Sequence, residues 1–266
     1  MARHTRWLRN LVGLVGLVLL LAQSGCVSCF NPVHPPPPEQ TACCAEVPSR
    51  ARNHVYVFIV HGMDPLDCAN LKGLRDYVQS LGFIKTYYGQ LYHSSYFTKE
   101  ICRIHKDDPN ARFVLIGFSF GANSVRDLTH AIEPEGIPID LLVYLGGNTL
   151  KNVPEDRPAN ATRIINILAT GAVWNGDTLD DAVNLNYSDV YHFGSPTHER
   201  TLGLLAAELT EVAGRVPVVE YQLPPFEQQA PTPRPLAPES SAKQVEDEWD
   251  FLKVREVGKL VRRTQP

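Results

Sequence analysis

The chain has 266 residues, 44% of them hydrophobic and 20% charged, with a formal net charge of -4. These values exclude a disordered, collagen-like or polytopic membrane chain, and the slight acidity excludes a general nucleic-acid binder, which needs a basic face. Six cysteines are too sparse for a disulfide scaffold, so one large globular domain or two small ones remain.

Composition is uneven along the chain. Arg3, Arg6 and Arg9 precede an apolar run of twelve, Leu11 to Ala22, which is too short to span a bilayer and reads as the core of an export signal over residues 1–25. Ser24-Gly25-Cys26 resembles a bacterial lipoprotein processing site, with Cys26 as the lipidated residue; Gln23 departs from the aliphatic residue of that pattern. Ordinary secretion and an uncleaved anchor are the alternatives. Loss of the three arginines takes the chain from -4 to -7. Export to the cell envelope, anchored to a membrane or free, is therefore the expected location.

Residues 26–50 hold six prolines and predict an extended spacer, with the adjacent pair Cys43 and Cys44 outside the core. Residues 51–216 contain only seven of the 21 prolines and form the expected compact domain. A second proline-rich linker covers 217–239. Beyond it, 240–263 has helical periodicity, with acidic residues early and basic residues late, as the helix dipole favours.

Within the compact region the apolar period alternates. Val55 to Val60 predicts a buried strand, Leu66 to Leu81 a helix, and Ile84 to Tyr92 a shorter strand. Thr98 to His105 predicts a helix, Phe113 to Ile116 a strand and Gly121 to Ile132 a helix. Ile139 to Leu145, Arg163 to Leu168 and Ala182 to Val190 complete the strands, and Thr197 to Val212 is a final amphipathic helix. Continuous apolar strands separated by helices imply a doubly wound α/β fold: a mostly parallel sheet of about six strands covered on both faces. Cys68 and Cys102 fall on predicted helices and are expected as buried small residues.

The decisive segment is Gly117-Phe118-Ser119-Phe120-Gly121, a G-x-S-x-G pentapeptide between a buried strand and a small-residue helix. A serine nucleophile in a strand-to-helix turn needs small flanking residues, because strand and helix must approach each other there. No phosphate-binding glycine pattern occurs in the domain, and no H-E-x-x-H or paired C-x-x-C supports a metal. No metal or cofactor is expected.

From Val55 to Val212 the sequence resembles the α/β-hydrolase family, in its small lipase- and esterase-like branch. The resemblance rests on the elbow and on the strand ending His61-Gly62-Met63-Asp64-Pro65, similar to the family's oxyanion loop. It implies oxyanion donors at the backbone N–H of Met63 and of Phe120, and the chain order serine, acid, histidine. Of the histidines after Ser119, His130 lies within the helix and points away from the strand ends. His192 follows the last strand directly and is the expected base; His198, in the first turn of the last helix, is the alternative. The acid is expected in the loop after the strand Arg163 to Leu168, at Asp177, with Asp180 and Asp181 as alternatives. Gly147-Asn148-Thr149, after the preceding strand, offers no carboxylate.

The polar loop between Leu145 and Arg163 replaces the helical cap of larger hydrolases and implies an open, apolar cleft. Met63, Phe118, Phe120, Trp174 and Phe193 would line it, with Tyr88, Tyr92 and Tyr96 at the rim. The expected substrate is a small-molecule or lipid ester, cleaved through an acyl-enzyme. Acyl transfer or thioester cleavage by the same residues is one competing reading. A non-catalytic binding relative in the cell envelope, expected if Ser119 were buried, is the other. Oligomeric state is open.

Overall fold

The computed structural model describes residues 31–147, 156–171 and 176–217. The chain divides into two compact units, Met1–Val219 and Glu220–Pro266, and every described residue belongs to the first. The expected export segment, Cys26, Trp174, Asn148 and the C-terminal helix lie outside the described residues. Among those described, no helix is long and apolar enough to cross a membrane.

Six strands form one sheet: β1 (Val55–Val60), β2 (Thr86–Gly89), β3 (Arg112–Phe118), β4 (Leu141–Leu145), β5 (Ile164–Ala169) and β6 (Val183–Tyr187). Their spatial order is β2-β1-β3-β4-β5-β6 and every neighbouring pair is parallel. Because all strands run the same way, the loops that leave their C-terminal ends share one edge. Ligand sites form at that edge in doubly wound sheets.

The helices are α1 (Pro38–Glu46), the single turn α2 (Ser49–Arg52), α3 (Leu71–Ser80), α4 (Ser94–Asp107), α5 (Phe120–Ile132) and α6 (Glu199–Gly214). Side chains alternate across the sheet, and two cores result. Val55, Val57 and Ile59 of β1 face one side with Leu74 of α3, Leu205 and Leu209 of α6, and Cys44 of α1. Tyr56, Phe58 and Val60 face the other side with Phe97 and Ile101 of α4 and Val125 and Leu128 of α5. The expected α/β, doubly wound, six-stranded architecture is the observed one, and the sheet is wholly parallel.

Several local expectations are corrected. The spacer over 26–50 is not a free stalk in its described part, and the domain starts before residue 51. Residues 32–37 are without regular structure, as their prolines require, but the His34 N–H donates to the Thr197 carbonyl at 3.0 Å and Pro36 is buried. The chain then folds into α1 against α6, with Pro38 at the helix start, where no N–H is missed. Cys44 is consequently buried, its thiol donating to the Ala206 carbonyl at 3.3 Å; Cys43 is half-buried near Thr210 Oγ1 at 3.5 Å. The helix expected from Leu66 begins only at Leu71, because Asp67 and Asn70 adopt positive φ, 54° and 51°, and Asn70 caps the helix through the Gly73 N–H. Cys68 therefore lies in a loop, and both it and Cys102 are half-buried instead of buried.

Candidate active site

The site is assembled at the C-terminal edge from the loops after β1, β3, β4 and β6. Ser119 sits between β3 and α5 with φ 55° and ψ -123°, a backbone conformation that a residue with a Cβ rarely adopts. What holds it there is close packing of glycines. A Cβ on Gly117 would stand 2.4 Å from the Gly121 carbonyl oxygen, and one on Gly121 would stand 2.2 Å from that of Val60. The two fixed glycines of the pentapeptide thus let helix and strands approach, and the serine takes the strain.

Gly62 brings the loop after β1 against the same turn. A Cβ there would lie 2.8 Å from Ser119 Cβ and 3.2 Å from the Phe120 nitrogen. Met63 follows at once, its side chain exposed. The elbow and the His-Gly loop, far apart in sequence, are therefore in contact.

His192 opens a short 3-10 turn after β6, and its carbonyl accepts the Ser195 hydroxyl at 2.9 Å. The imidazole rests on the Phe118 ring, centroids 4.8 Å apart, and its Nδ1 would be 2.7 Å from a Cβ on Gly146. Gly146, at φ 62°, so makes room at the end of β4 for the ring that stands beside the elbow. His198 is engaged elsewhere: it caps α6, its Nδ1 accepting from the Arg200 N–H at 3.2 Å. Burial pulls the His192 imidazole below its ordinary pKa, and the Asp64 carboxylate pushes it back up.

The loop that carries the aspartates expected as the acid packs on the end of β4, where a Cβ on Gly176 would stand 2.8 Å from the Gly147 carbonyl oxygen. Asp180 and Asp181 face Arg157, Asp180 at 3.5 Å. Asp177 is exposed, and its backbone carbonyl accepts from Asn166 Nδ2 at 2.9 Å. Asp64, buried in the loop after β1, is a carboxylate whose charge raises the His192 pKa. In the sequence Asp64 stands in that loop without a role of its own; its offset from His61 was the available signal.

Asp64 belongs to a compact network with His61 and Asp67, whose ligand-capable atoms lie within 4.8 Å of one another. Most of its polar atoms are bonded, although the buried His61 Nδ1 has no hydrogen-bond partner among the described residues. Asp64 Oδ2 accepts the Ala69 N–H at 2.8 Å, Asp67 accepts the Leu71 and Lys72 N–H groups at 2.8 and 3.4 Å, and His61 Nε2 bonds to Asp67 Oδ1 at 2.9 Å. Burial by itself would raise the Asp67 pKa; the bonds from His61 and from the two backbone amides outweigh it and hold the carboxyl below its usual range. Those bonds organise the loop.

Asn31 ties the two loops of the site together, and nothing in the sequence announced it. Its Nδ2 donates to the Cys68 carbonyl at 2.5 Å, its carbonyl accepts from Asn70 Nδ2 at 2.9 Å, and its Oδ1 accepts from the Tyr191 hydroxyl. One residue of the proline-rich segment thus bridges the loop after β1 to the residue before His192.

No protein-family profile and no curated protein matches the chain. Among solved structures, the chain is similar to the NocB thioesterase domain of the nocardicin cluster, at 13% identity and a TM-score of 0.39, covering 62% of this chain and 96% of that one. It is also similar to a predicted CIB-like hydrolase from Thermoplasma acidophilum, at 14% identity and a TM-score of 0.38, covering 60% and 87%. Likeness at that level carries no functional argument. The parallel sheet, its strand order and the strained serine elbow give the chain a minimal α/β-hydrolase-like fold.

Proposed function

We propose that the protein is a serine hydrolase acting on carboxylic or thioester bonds, with Ser119 as nucleophile and His192 as base. The observation that carries this reading is the strained φ of Ser119 in a turn closed by Gly117, Gly121 and Gly62, beside the ring of His192. His192 takes the hydroxyl proton as Ser119 Oγ attacks the ester carbonyl carbon. The resulting oxyanion accepts hydrogen bonds from the N–H groups of Met63 and Phe120, each worth on the order of 3 kcal/mol. The carbonyl then reforms, the alcohol or thiol leaves with the proton from His192, and an acyl-serine remains. Water, deprotonated by His192, cleaves that ester and restores Ser119. A carboxylate stabilises the imidazolium: the resemblance assigns Asp177, and the charge felt at His192 favours Asp64.

Turnover of paired short-chain oxygen esters and thioesters, with Ser119→Ala as control, tests the reading and ranks the two substrate classes. One observation favours a non-catalytic binding protein instead: Ser119 is only 6% exposed and His192 4%. A well-folded chain that hydrolyses neither series would decide for that alternative.

A further inference from the structure

Eight large hydrophobic side chains are exposed among the described residues, and their distribution is lopsided. Met63 and Leu66 follow β1, Tyr92 and Tyr96 follow β2, and Tyr191 and Phe193 follow β6. These six share the edge that carries Ser119 and His192; the exceptions, Ile84 and Val183, stand at the opposite, N-terminal ends of β2 and β6. Met63 and Tyr92 are the most exposed of all, at 72% and 77%. Three of the six are tyrosines, whose amphipathic rings suit the boundary between water and acyl chains.

The route of the chain indicates what covers this rim. Asn31 is fixed between Cys68 and Tyr191, so the polypeptide enters the folded domain at the same edge. The apolar run Leu11 to Ala22 ends nine residues before Asn31, and Cys26 lies five before it. At about 3.4 Å per residue, the connection from Ala22 measures at most about 30 Å and that from Cys26 about 17 Å. An acyl chain on Cys26, or the apolar run itself, would therefore hold the C-terminal edge close to the surface in which it is embedded, not let the domain swing free on a stalk.

We propose that this rim docks on a phospholipid bilayer, with the catalytic edge facing the membrane, and that the substrate is an ester drawn from the bilayer. The substrate part rests on the serine-hydrolase reading; the docking part does not. Two anchoring signals in concert are what stable attachment of a peripheral protein needs: one lipid chain or short apolar segment, and one apolar surface.

The test uses the full chain in phosphatidylethanolamine–phosphatidylglycerol vesicles, without and with acyl-chain bromination, and two variants that each add one tryptophan, Leu66→Trp at the rim and Ile84→Trp at the opposite edge. The emission gained over the parent chain is expected to be quenched by brominated lipid at Leu66→Trp and not at Ile84→Trp. Equal quenching at the two positions overturns the docking. The variant Leu66→Asp, with unchanged circular dichroism, is then expected to lose about tenfold or more of its turnover of a vesicle-embedded ester, while cleavage of a water-soluble short-chain ester is kept. Parallel loss on both esters, or on neither, overturns the bilayer substrate. Failure of the parent chain to cleave any ester contradicts the hydrolase reading and leaves the quenching result standing.

Discussion

The imidazole of His192 lies on the ring of Phe118, 4.8 Å between centroids, one residue before Ser119. That tilted ring contact positions the imidazole by packing, with the small Gly146 beside it, and it separates the two candidate histidines by what each side chain does. His192→Ala is expected to reduce kcat/KM by about a thousandfold or more, the range of a lost general base. His198→Ala removes a helix cap, so it should cost about 1 kcal/mol of stability and leave kcat/KM nearly unchanged. Kinetics with a soluble ester and thermal melts of both variants check this pair; the opposite pattern would transfer the role to His198.

The acid can be assigned from pH dependence. Asp64 raises the pKa of His192 against the lowering effect of burial. Removing that charge in Asp64→Asn should therefore move the acidic limb of kcat/KM to lower pH and reduce the maximum, because the imidazolium loses its counter-charge. If Asp177 is the acid, Asp177→Asn produces that change and Asp64→Asn does not. Stability follows the same sign. A histidine whose folded pKa is depressed binds protons more readily when unfolded, so His192 makes the fold less stable as pH falls below about 6.5. His192→Gln is expected to flatten that part of the stability profile.

The glycines of the elbow make a steric prediction. A Cβ at Gly121 would meet the Val60 carbonyl oxygen at 2.2 Å, a backbone atom that cannot move aside. Gly121→Ala should cost about 3 kcal/mol or more, or prevent folding. At Gly214, the end of α6, a Cβ would meet nothing within 4 Å, and Gly214→Ala should be neutral or stabilising by up to about 1 kcal/mol. Urea denaturation of the two variants gives the comparison.

Asn31 predicts a coupling between segments remote in sequence. Asn31→Ala deletes the side-chain bonds to Cys68 and Tyr191 across the two loops of the site, at an expected cost of about 1–3 kcal/mol. Hydrogen exchange should rise together in residues 64–70 and 188–194. Faster exchange confined to the region around residue 31 would show that the loops are held by other means.

The alternation of apolar strands with helices made the sheet legible, because strands buried on both faces must be apolar throughout, as Val55 to Val60 is. The elbow was legible for a different reason: Gly117 and Gly121 are required by approach distances that a pentapeptide pattern encodes. The start of α3 was not legible, since Leu66 to Leu81 has helical periodicity while the positive φ of Asp67 and Asn70 is imposed by bonds formed only in the folded loop. Nor was α1, where the four consecutive prolines leading into it, the last of them its first residue, suggested a stalk and the contact that buries Cys44 is supplied by α6, about 160 residues later. Asp64 escaped notice because its relation to His192 exists across the sheet edge and has no counterpart along the chain.

The role of Ser119 as nucleophile is tested most directly by intact-mass and peptide mass spectrometry after reaction of the full chain with a fluorophosphonate. One phosphonyl group per chain is expected, located on the peptide containing Ser119, and none on Ser119→Ala. A folded wild-type chain that stays unlabelled, or one labelled equally after Ser119→Ala, would contradict that role.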